Sequence, residues 1–437
     1  MYKAVVIGGG WSGCAAALSA KKAGADVTLI EKTDLLLGLG NVGGIMRNNG
    51  RFTAAEENIA MGASELFGIT DKCSRHVNID FPGHKHASLY DVTKVEPEVR
   101  RLLREMGIEV KLMTRAVDVV AKKKEQWLKS DEDEVSIERI ILAGGESIEG
   151  DVFIETTGST GPMGNCLTYG NGCCMCILRC PAFGPRVSIS AKAGSADIMG
   201  RRKDGAFGAF SGSGKLEKQS LSEELQQQLN ESGVAVVPLP KKAVKKEKLD
   251  MKVCRQYALD EYAENIILLD TGYAKIMTPF FDLDTLRQIP GFENARYVDP
   301  YAGGKGNSVR YLSVAERNNA MKVVKISNLF CGGEKSGLFV GHTEAISTGS
   351  LAGHNAARYL KGMKPLELPV GIAVGDIISF ANARLDTEEG LMTRYTFAGA
   401  EYFSRMKEKR LYSIKREEIE SRVRRYGLDN IYKEKLF

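Results

Sequence analysis

The sequence lacks any apolar run of the ~18 residues that a membrane-spanning helix needs. It also lacks a charged leader with an apolar core and a cleavage site, because Met1 leads directly into a β-branched run. Its net charge is small, +5 over 437 residues, which permits an anionic substrate or RNA without requiring either. We therefore predict a cytoplasmic protein that has no membrane partner.

A disulfide framework is not expected, because thiols in the cytoplasm stay reduced. The chain nevertheless has nine cysteines, and five of them fall between Cys166 and Cys180. Hydrophobic residues make up 43% of the chain and the mean hydropathy is −0.19, which is typical of a globular protein. The length of 437 residues is enough for two or three domains.

The chain opens with the pattern of a dinucleotide-binding site. A β-branched run leads at once into Gly8-x-Gly10-x-x-Gly13, an alanine-rich helix and a second strand that ends at Glu31. In such a turn the first glycine permits the bend, the second lets a pyrophosphate approach, and the third lets helix and strand pack closely. The helix N-terminus offers N–H donors to the phosphate, and Glu31 can accept the ribose hydroxyls, with Lys32 beside it.

A second segment bears on whether the nucleotide is FAD or NAD. Residues 150–161, GDVFIETTGSTG, predict a strand that runs into a turn of small residues. Thr157 and Gly158 lie in that turn and are candidate cofactor-binding residues. The segment follows two stretches that predict the strands of a meander.

A third segment, residues 326–360, predicts a strand, a Gly-Gly-acid turn at Gly333 and Glu334, and a helix from about Thr343. Together the three segments resemble the FAD-binding fold of glutathione-reductase type, an α/β Rossmann fold. The resemblance implies that Glu334 lies near the ribityl chain and that the helix points its N-terminus at the flavin. The positive end of that helix would stabilise a reduced, anionic flavin.

The third segment also resembles one family closely, the GidA/TrmFO proteins, bacterial flavoproteins that modify uridines in tRNA. The stretch RQIPGFENARYV, residues 287–298, and the stretch LPVGIAVGDII are similar to further parts of that family. The resemblance implies FAD as cofactor, NAD(P)H as a plausible reductant, folate in one branch, and RNA as a partner. The matching residues of the third segment are Gly341, His342, Glu344, Gly349, Ala352, Gly353, Asn355, Ala356 and Ala357.

The chain departs from the family after the first acid. GidA-type proteins read Ser-Cys-Asn-Pro-Ala-Ile-Gly-Gly there, whereas this chain reads LGLGNVGGI and has no cysteine. We predict that the bare backbone at Gly43 and Gly44 lies against the flavin and its diphosphate, where a side chain would collide. Arg47 and Arg51 are predicted to neutralise phosphate or a substrate anion.

The cysteine-rich stretch CLTYGNGCCMCILRC leaves four interpretations open. Its thiols exchange electrons with the flavin or attack the substrate, bind a metal or an iron–sulfur cluster, are buried and structural, or are tolerated in a loop without a role. The spacing Cys-Cys-x-Cys-x3-Cys is not a standard zinc or ferredoxin pattern, and Arg179 and Arg186 would favour thiolates. We adopt the first interpretation and predict no metal ligands. The candidate catalytic residues are Cys173, Cys174, Cys176, Cys180 and, as a proton donor, His342.

Two other stretches have simple interpretations. SEELQQQLNESG predicts a helix that starts at a serine and stops at a glycine. The lysine run in residues 241–252 is interpreted as a solvated face, with nucleic-acid contact as the alternative.

We predict an inserted substrate domain and a helical C-terminal region around the FAD-binding fold. The boundaries are 1–160 and 321–364 for the FAD-binding domain, 161–320 for the inserted domain and 365–437 for the C-terminal region. The first functional hypothesis is an FAD-dependent oxidoreductase that uses the loop cysteines on a small-molecule or thiol substrate. The alternatives are a folate- and FAD-dependent RNA uridine methyl or one-carbon transferase, and a non-catalytic RNA-binding or assembly flavoprotein. A homo-oligomer is expected.

Overall fold

The computed structural model describes residues 2–123, 135–158, 183–207, 209–210, 214–250, 252, 254–277, 281–298, 309–310 and 312–437. The strands are β1 Lys3–Ile7, β2 Asp26–Ile30, β3 Ile45–Met46, β4 Ser74–Phe81, β5 His84–Tyr90, β6 Glu109–Lys111, β7 Ala116–Lys123, β8 Val135–Leu142, β9 Ser147–Glu149, β10 Val152–Glu155, β11 Asp197–Met199, β12 Ala209–Phe210, β13 Gly214–Leu216, β14 Val234–Pro238, β15 Asn265–Asp270, β16 Ala274–Ile276, β17 Val309–Arg310, β18 Ser313–Ala315 and β19 Leu329–Cys331. The α-helices are α1 Trp11–Lys22, α2 Gly40–Gly43, α3 Gly50–Ala60, α4 Glu65–Lys72, α5 Val95–Glu105, α6 Ile189–Lys192, α7 Glu223–Ser232, α8 Glu261–Glu264, α9 Leu283–Leu286, α10 His342–Leu360, α11 Ala373–Asn382, α12 Glu388–Met392, α13 Ala400–Glu408 and α14 Arg416–Arg425.

The nucleotide-binding part is built on a five-stranded sheet in the order β19-β10-β1-β2-β6, in which every pair is parallel. Alternate residues of β1 enter different cores because side chains alternate across a strand. Ala4 and Val6 pack toward α1 and α10, whereas Val5 and Ile7 pack toward the β7-β8-β9 meander. The arrangement confirms the predicted α/β Rossmann fold and its meander.

Helices α1 and α10 pack closely because small residues line both helices. A Cβ at Gly349 would lie 2.2 Å from the Ser12 carbonyl oxygen, and one at Gly353 would lie 2.1 Å from that of Ala16. Two of the family-like glycines of the third segment therefore serve helix packing. This contact fixes the N-terminus of α10 beside that of α1.

A second region is built on the antiparallel sheet β13-β16-β15-β14, which α7 covers on one side. On the other side, Ile267 and Leu269 of β15 pack against Ile45 and Leu89 of the β3-β5-β4 sheet. Residues that precede the predicted insertion thus help to hold this sheet. The contact brings β16 across from the nucleotide-binding turn.

The C-terminal helices pack on α3. The buried carboxylate of Glu57 accepts the backbone N–H groups of Ala373 and Val374 at 2.9 Å each, which caps α11. Asp376 binds Arg405 at 2.9 Å and Lys409 at 2.6 Å, which ties α11 to α13. Within the described residues, no helix combines the length and the apolar character needed to cross a membrane.

Candidate functional site

A large cavity lies where the carboxyl ends of β1 and β10 meet the first residues of α1 and α10. One wall is the glycine turn with the ends of the parallel strands. The opposite wall comes from the second region, from the end of β16 and from four residues that precede β15, namely Lys252, Cys254, Gln256 and Tyr257. A groove between a Rossmann sheet and a second region is a typical place for a cofactor and a substrate to meet.

The three glycines of the turn differ in what a side chain would meet at each position. Gly8 has φ +105°, and a Cβ there would lie 2.5 Å from the Thr156 carbonyl oxygen. A Cβ at Gly13 would lie 1.8 Å from the Gly8 carbonyl oxygen, so helix and turn could not close. Gly10 faces open space in the cavity, with no atom within 4 Å of the place that a Cβ would occupy. Of the three glycines, Gly10 is therefore the one at which a side chain would project into open space.

Glu31 stands at the cavity wall with its carboxylate already oriented. One oxygen accepts the backbone N–H of Gly9 at 2.7 Å, and the other accepts the backbone N–H of Thr33 at 2.9 Å. A carboxylate has about four acceptor positions, so these bonds leave capacity for a ligand. Lys32 also lines the cavity and donates to the Gly184 carbonyl at 2.7 Å.

The turn after β10 is held by hydrogen bonds to neighbouring side chains. Thr157 donates its hydroxyl to Glu155 at 2.9 Å, and its carbonyl accepts the Arg186 guanidinium at 2.7 Å. A Cβ at Gly158 would lie 2.2 Å from the same guanidinium. Both residues of the turn line the cavity, as do Arg186 and its neighbour Val187.

The acid turn of the third segment also reaches the cavity. Gly333 has φ +67° and donates its N–H to the Thr348 hydroxyl at 2.8 Å, which ties the turn to α10. Glu334 follows it at the cavity wall and is half-buried. Ser12 lies nearby, and its buried hydroxyl has no hydrogen-bond partner within the described part of the chain.

Two residues predicted to bind the cofactor, Thr343 and Glu344, do not line this cavity. Glu344 is 1% exposed and accepts the Arg51 guanidinium at 3.1 Å, the Thr396 hydroxyl at 2.8 Å and the Phe397 N–H at 2.8 Å. Thr343 is completely buried against Met46. Both residues lie in the first turn of α10, where the side chain of Glu344 contacts the C-terminal region and that of Thr343 contacts Met46.

The two arginines predicted to meet phosphate are also engaged elsewhere. Arg47 forms ion pairs with Glu56 and, at 2.6 Å, with Asp71. Burial alone would lower the pKa of Arg51, but Glu344 beside it raises the pKa above its ordinary value. Arg47 is thus paired within the protein and is not among the residues that line the cavity, whereas Arg51 lines the cavity with its charge already balanced.

The bare backbone at Gly43 and Gly44 lies close to two side chains of the protein. A Cβ at Gly43 would lie 1.8 Å from Cε1 of His342, and one at Gly44, where φ is +72°, would lie 2.3 Å from Cγ2 of Thr271. Protein side chains thus occupy the place that a Cβ would take at both glycines, while the backbone of Gly43 lines the cavity. His342 itself begins α10 and lines the cavity.

The wall that faces the nucleotide turn contains residues that sequence reasoning missed. Lys252, Cys254, Gln256 and Tyr257 all line the cavity. Lys252 is 2% exposed and donates to the Met277 carbonyl at 2.6 Å, and burial lowers its pKa to about 8. The Gln256 side-chain oxygen is buried without a hydrogen-bond partner in the described residues. No local pattern marks this stretch, since its lysine ends a run that we interpreted as solvated.

The predicted catalytic cysteines lie outside the described residues, because residues 159–182 are not among them. Of the cysteines that are described, Cys254 lines the cavity, whereas Cys14, Cys73 and Cys331 are buried elsewhere. No group of three His, Cys, Asp or Glu side chains in the described ranges is arranged to hold a metal ion.

The parallel sheet, the glycine turn, the acid that follows β2 and the acid turn before α10 define an FAD-binding protein of the Rossmann class. The cavity fits that cofactor on its own evidence. Gly10 offers bare backbone at the start of a 12-residue helix, and the Ser12 hydroxyl beside it is buried and lacks a partner among the described residues.

The chain belongs to the glucose inhibited division protein A family, whose model matches residues 3–267 and 260–364. The solved structure of GidA from Aquifex aeolicus has the same fold, with a TM-score of 0.66 and 16% identity over 99% of this chain and 74% of that one. The predicted membership of a GidA/TrmFO-like family is confirmed.

Curated relatives match over shorter stretches. A stretch of 94 residues is 35% identical to methylenetetrahydrofolate–tRNA-(uracil-5-)-methyltransferase TrmFO of Caldicellulosiruptor bescii, over 22% of this chain and 21% of that protein. Another of 113 residues is 31% identical to the tRNA uridine 5-carboxymethylaminomethyl modification enzyme MnmG of Campylobacter fetus, over 25% of this chain and 18% of that protein. The matched stretches thus span about a fifth of each relative.

Proposed function

We propose that the chain is an FAD-dependent enzyme that modifies uridine in tRNA. The observation that carries the proposal is the cavity, in which a nucleotide-binding wall faces a second wall with an amine, a thiol and an amide. Relatives named as tRNA uridine-modifying enzymes support RNA as the substrate. The net charge of +5 is compatible with an RNA partner.

In this proposal the glycine turn and Ser12 hold the diphosphate of FAD, and Glu31 accepts ribose hydroxyls. Gly158 contacts the adenosine part of FAD, and Glu334 contacts its ribityl chain. When bound, FAD supplies the ability to accept and donate electrons, with NAD(P)H as the reductant. The chain's own residues position the substrate and handle its protons.

Cys254 is our first candidate for the thiol of the reaction, because it is the described cysteine at the cavity. The side chains of Lys252 and Arg51 line the same cavity. The loop cysteines, Cys173, Cys174, Cys176 and Cys180, stay as second candidates. The amide of Gln256 is suited to a ligand with a neighbouring donor and acceptor, as in a uracil ring.

The test begins with the purified protein and its absorption spectrum, recorded before and after NADH. The protein is then incubated with an unmodified tRNA transcript and methylenetetrahydrofolate, and the nucleosides are analysed by mass spectrometry. We expect a bound flavin that NADH reduces and a mass increase on uridine. Binding of the transcript should fall steeply with salt, because Lys and Arg contacts with phosphate release counterions. Salt-independent, weak binding without any modified nucleoside would overturn the proposal.

Single cysteine variants then locate the thiol. Cys254→Ala should abolish modification and leave FAD bound, whereas Cys73→Ala, a buried cysteine away from the cavity, should keep activity. The four loop cysteines are replaced one at a time by serine. Full activity of Cys254→Ala would mean that one of the four loop cysteines supplies the reactive thiol.

A second candidate function is an FAD-dependent thiol oxidoreductase. The specific observation in its favour is the absence of a cysteine from LGLGNVGGI, together with the five cysteines of residues 166–180. It predicts that the reduced flavin exchanges electrons with a disulfide. Rapid reoxidation of the NADH-reduced protein by a small disulfide such as oxidised dithiothreitol, without activity on tRNA, would favour this function.

A further inference from the structure

The side chain of Gln256 is a buried polar group at the wall of the cavity. The residue lines the cavity and is 4% exposed, and its side-chain oxygen has no hydrogen-bond partner within the described residues. A buried amide oxygen that lacks a donor costs free energy, and in native proteins such atoms are few. Because this oxygen belongs to the cavity wall, a ligand of the cavity can supply the missing donor.

The backbone of Gln256 is held by the imidazole of His84. Nε2 of His84 lies 3.1 Å from the Gln256 carbonyl oxygen, and Nδ1 lies 2.9 Å from the side-chain nitrogen of Asn48. The carbonyl can only accept and the amide nitrogen can only donate, so Nε2 carries the proton. Arg51 sets the orientation of the Asn48 amide, because it donates to the amide oxygen at 3.2 Å. A chain of hydrogen bonds therefore runs from Arg51 to the backbone of Gln256.

Packing holds the same stretch from other sides. The His84 ring is stacked on that of Phe81 at a centroid distance of 4.7 Å and lies equally far from that of Tyr257. Burial lowers the pKa of His84 to about 3, so the ring is neutral near pH 7. A Cβ at Gly399 would lie 2.7 Å from the Cβ of Gln256, so the backbone there packs directly against the base of the glutamine side chain. The point from which the Gln256 amide extends is therefore fixed by the protein.

Two ligands considered for this cavity carry a matching donor. The isoalloxazine ring of FAD and the uracil ring of the proposed substrate both contain a cyclic imide, which is a ring N–H between two carbonyl groups. A carboxamide pairs with that edge, because its oxygen accepts the N–H and its nitrogen donates to a carbonyl. Enzymes that act on a nucleobase commonly read it through hydrogen bonds to the same edge.

We propose that the side-chain oxygen of Gln256 accepts the imide N–H of a pyrimidine ring bound in the cavity, the ring of the flavin or that of uracil. The flavin as source rests on the FAD site alone, whereas uracil as source rests on the proposed function. In both cases the glutamine selects a ring that has a hydrogen on this nitrogen. A ring without that hydrogen would leave the buried oxygen unpaired.

The imide proton itself is the readout of the test. One sample contains the protein loaded with FAD that is labelled with ¹⁵N in the imide, and the other contains the protein with unlabelled FAD and a ¹⁵N-labelled oligouridylate. Proton–nitrogen correlation spectra then report whether each imide N–H is protected from exchange with water. We expect one protected signal in wild type and its loss in Gln256→Met. The affinity for that ligand should fall about five- to tenfold, the effect of one lost hydrogen bond.

Two further variants isolate the hydrogen bond. Gln256→Glu keeps the length of the side chain and an acceptor oxygen, so the protected signal should persist in it. Gln226→Met is the matched control, because that half-buried glutamine donates to the Leu221 carbonyl at 2.8 Å in the second region and does not line the cavity. It should leave both imide signals unchanged. If Gln256→Met does not fold, Gln256→Asn gives the same comparison, because it withdraws the amide by one methylene group.

The outcomes separate the two sources from each other and from the proposed function. A protected signal that depends on Gln256 supports the proposal, and the labelled sample that shows it identifies the flavin or uracil as the source. Such a flavin signal in a protein that leaves tRNA unmodified would refute the proposed function alone. Unprotected imide signals in wild type, or signals that are the same in wild type and in Gln256→Met, would overturn the inference even if tRNA is fully modified.

Discussion

Arg51 offers a sharp test of how the charges around the cavity are paired. The sequence predicts that Arg51 meets a phosphate, whereas the structure makes it the partner of Glu344. In Arg51→Met, Glu344 would keep the Thr396 hydroxyl and the Phe397 N–H, both at 2.8 Å, but would lose its counter-ion. The side chain of Glu344 has no exposure to water, so the remaining charge cannot be solvated.

The expected magnitude follows from that burial. Removal of one partner of a buried ion pair costs about 3–5 kcal/mol. Because two hydrogen-bond donors to Glu344 remain, we expect a loss of folding free energy at the lower end of this range, about 3 kcal/mol. Three further bonds of Arg51 are lost as well, to Asn48 at 3.2 Å, to the Val340 carbonyl at 2.9 Å and to Thr396 at 3.2 Å.

The assay is urea unfolding of the flavin-free and the FAD-loaded protein, with FAD affinity measured by quenching of flavin fluorescence. The control is Lys85→Met, which removes an exposed pair with Asp80 at 2.6 Å and should cost below about 1 kcal/mol. The double variant Arg51→Met with Glu344→Gln should recover part of the loss, because no uncompensated charge remains. A stability loss below about 1 kcal/mol together with a large fall in FAD affinity would refute the structural role and restore the phosphate-binding one.

The other predictions concern the same cavity. Glu31→Ala should weaken FAD binding by roughly 1.5–3 kcal/mol in a fluorescence titration, because the ribose loses a charged acceptor, and an unchanged affinity would remove Glu31 from the site. Gly10→Ala should weaken FAD binding and leave the flavin-free protein as stable as wild type, whereas Gly13→Ala should destabilise the flavin-free protein in thermal unfolding, because its Cβ would lie 1.8 Å from a carbonyl oxygen. Lys252→Met should raise the free energy of unfolding at pH 7 by roughly 3 kcal/mol, because burial lowers the lysine pKa from 10.5 to about 8. The stability contributed by neutral Lys252 is present above pH 10.5 and is lost as the pH falls through about 8. The increase in unfolding free energy on Lys252→Met should therefore be smaller at pH 10 than at pH 7. An equal increase at both pH values would contradict the buried charge.

Features set by neighbouring residues were predictable from the sequence. The glycine turn and its strands follow from a local pattern, and the helix of SEELQQQLNESG follows from its two ends. Ser222 accepts the Leu225 N–H at that helix start, and Gly233 ends the helix with φ +78°. Both signals act within a few residues, so no tertiary information is needed.

Features set by distant contacts were not predictable. A bare backbone at Gly43 fits a ligand or a side chain equally well, and only the folded chain brings His342 to it. Lys252 ends a lysine run, and the sequence alone favours a solvated ammonium there. The structure instead places it over the rings of Tyr257 and Tyr262, at 5.7 and 5.1 Å, because the second region folds back onto the nucleotide site.

The close contact between α1 and α10 has a consequence for how the protein is made. The residues that cover the inner face of α1, Gly349 and Gly353 among them, are synthesised long after α1 leaves the ribosome. Until they emerge, the alanine-rich face of the first helix has no partner, and the parallel sheet lacks β19 at its edge. The N-terminal half therefore stays incompletely folded, with exposed apolar surface that can associate, until β19 and α10 have been synthesised. Chaperone supply and elongation rate should consequently govern the yield of active protein.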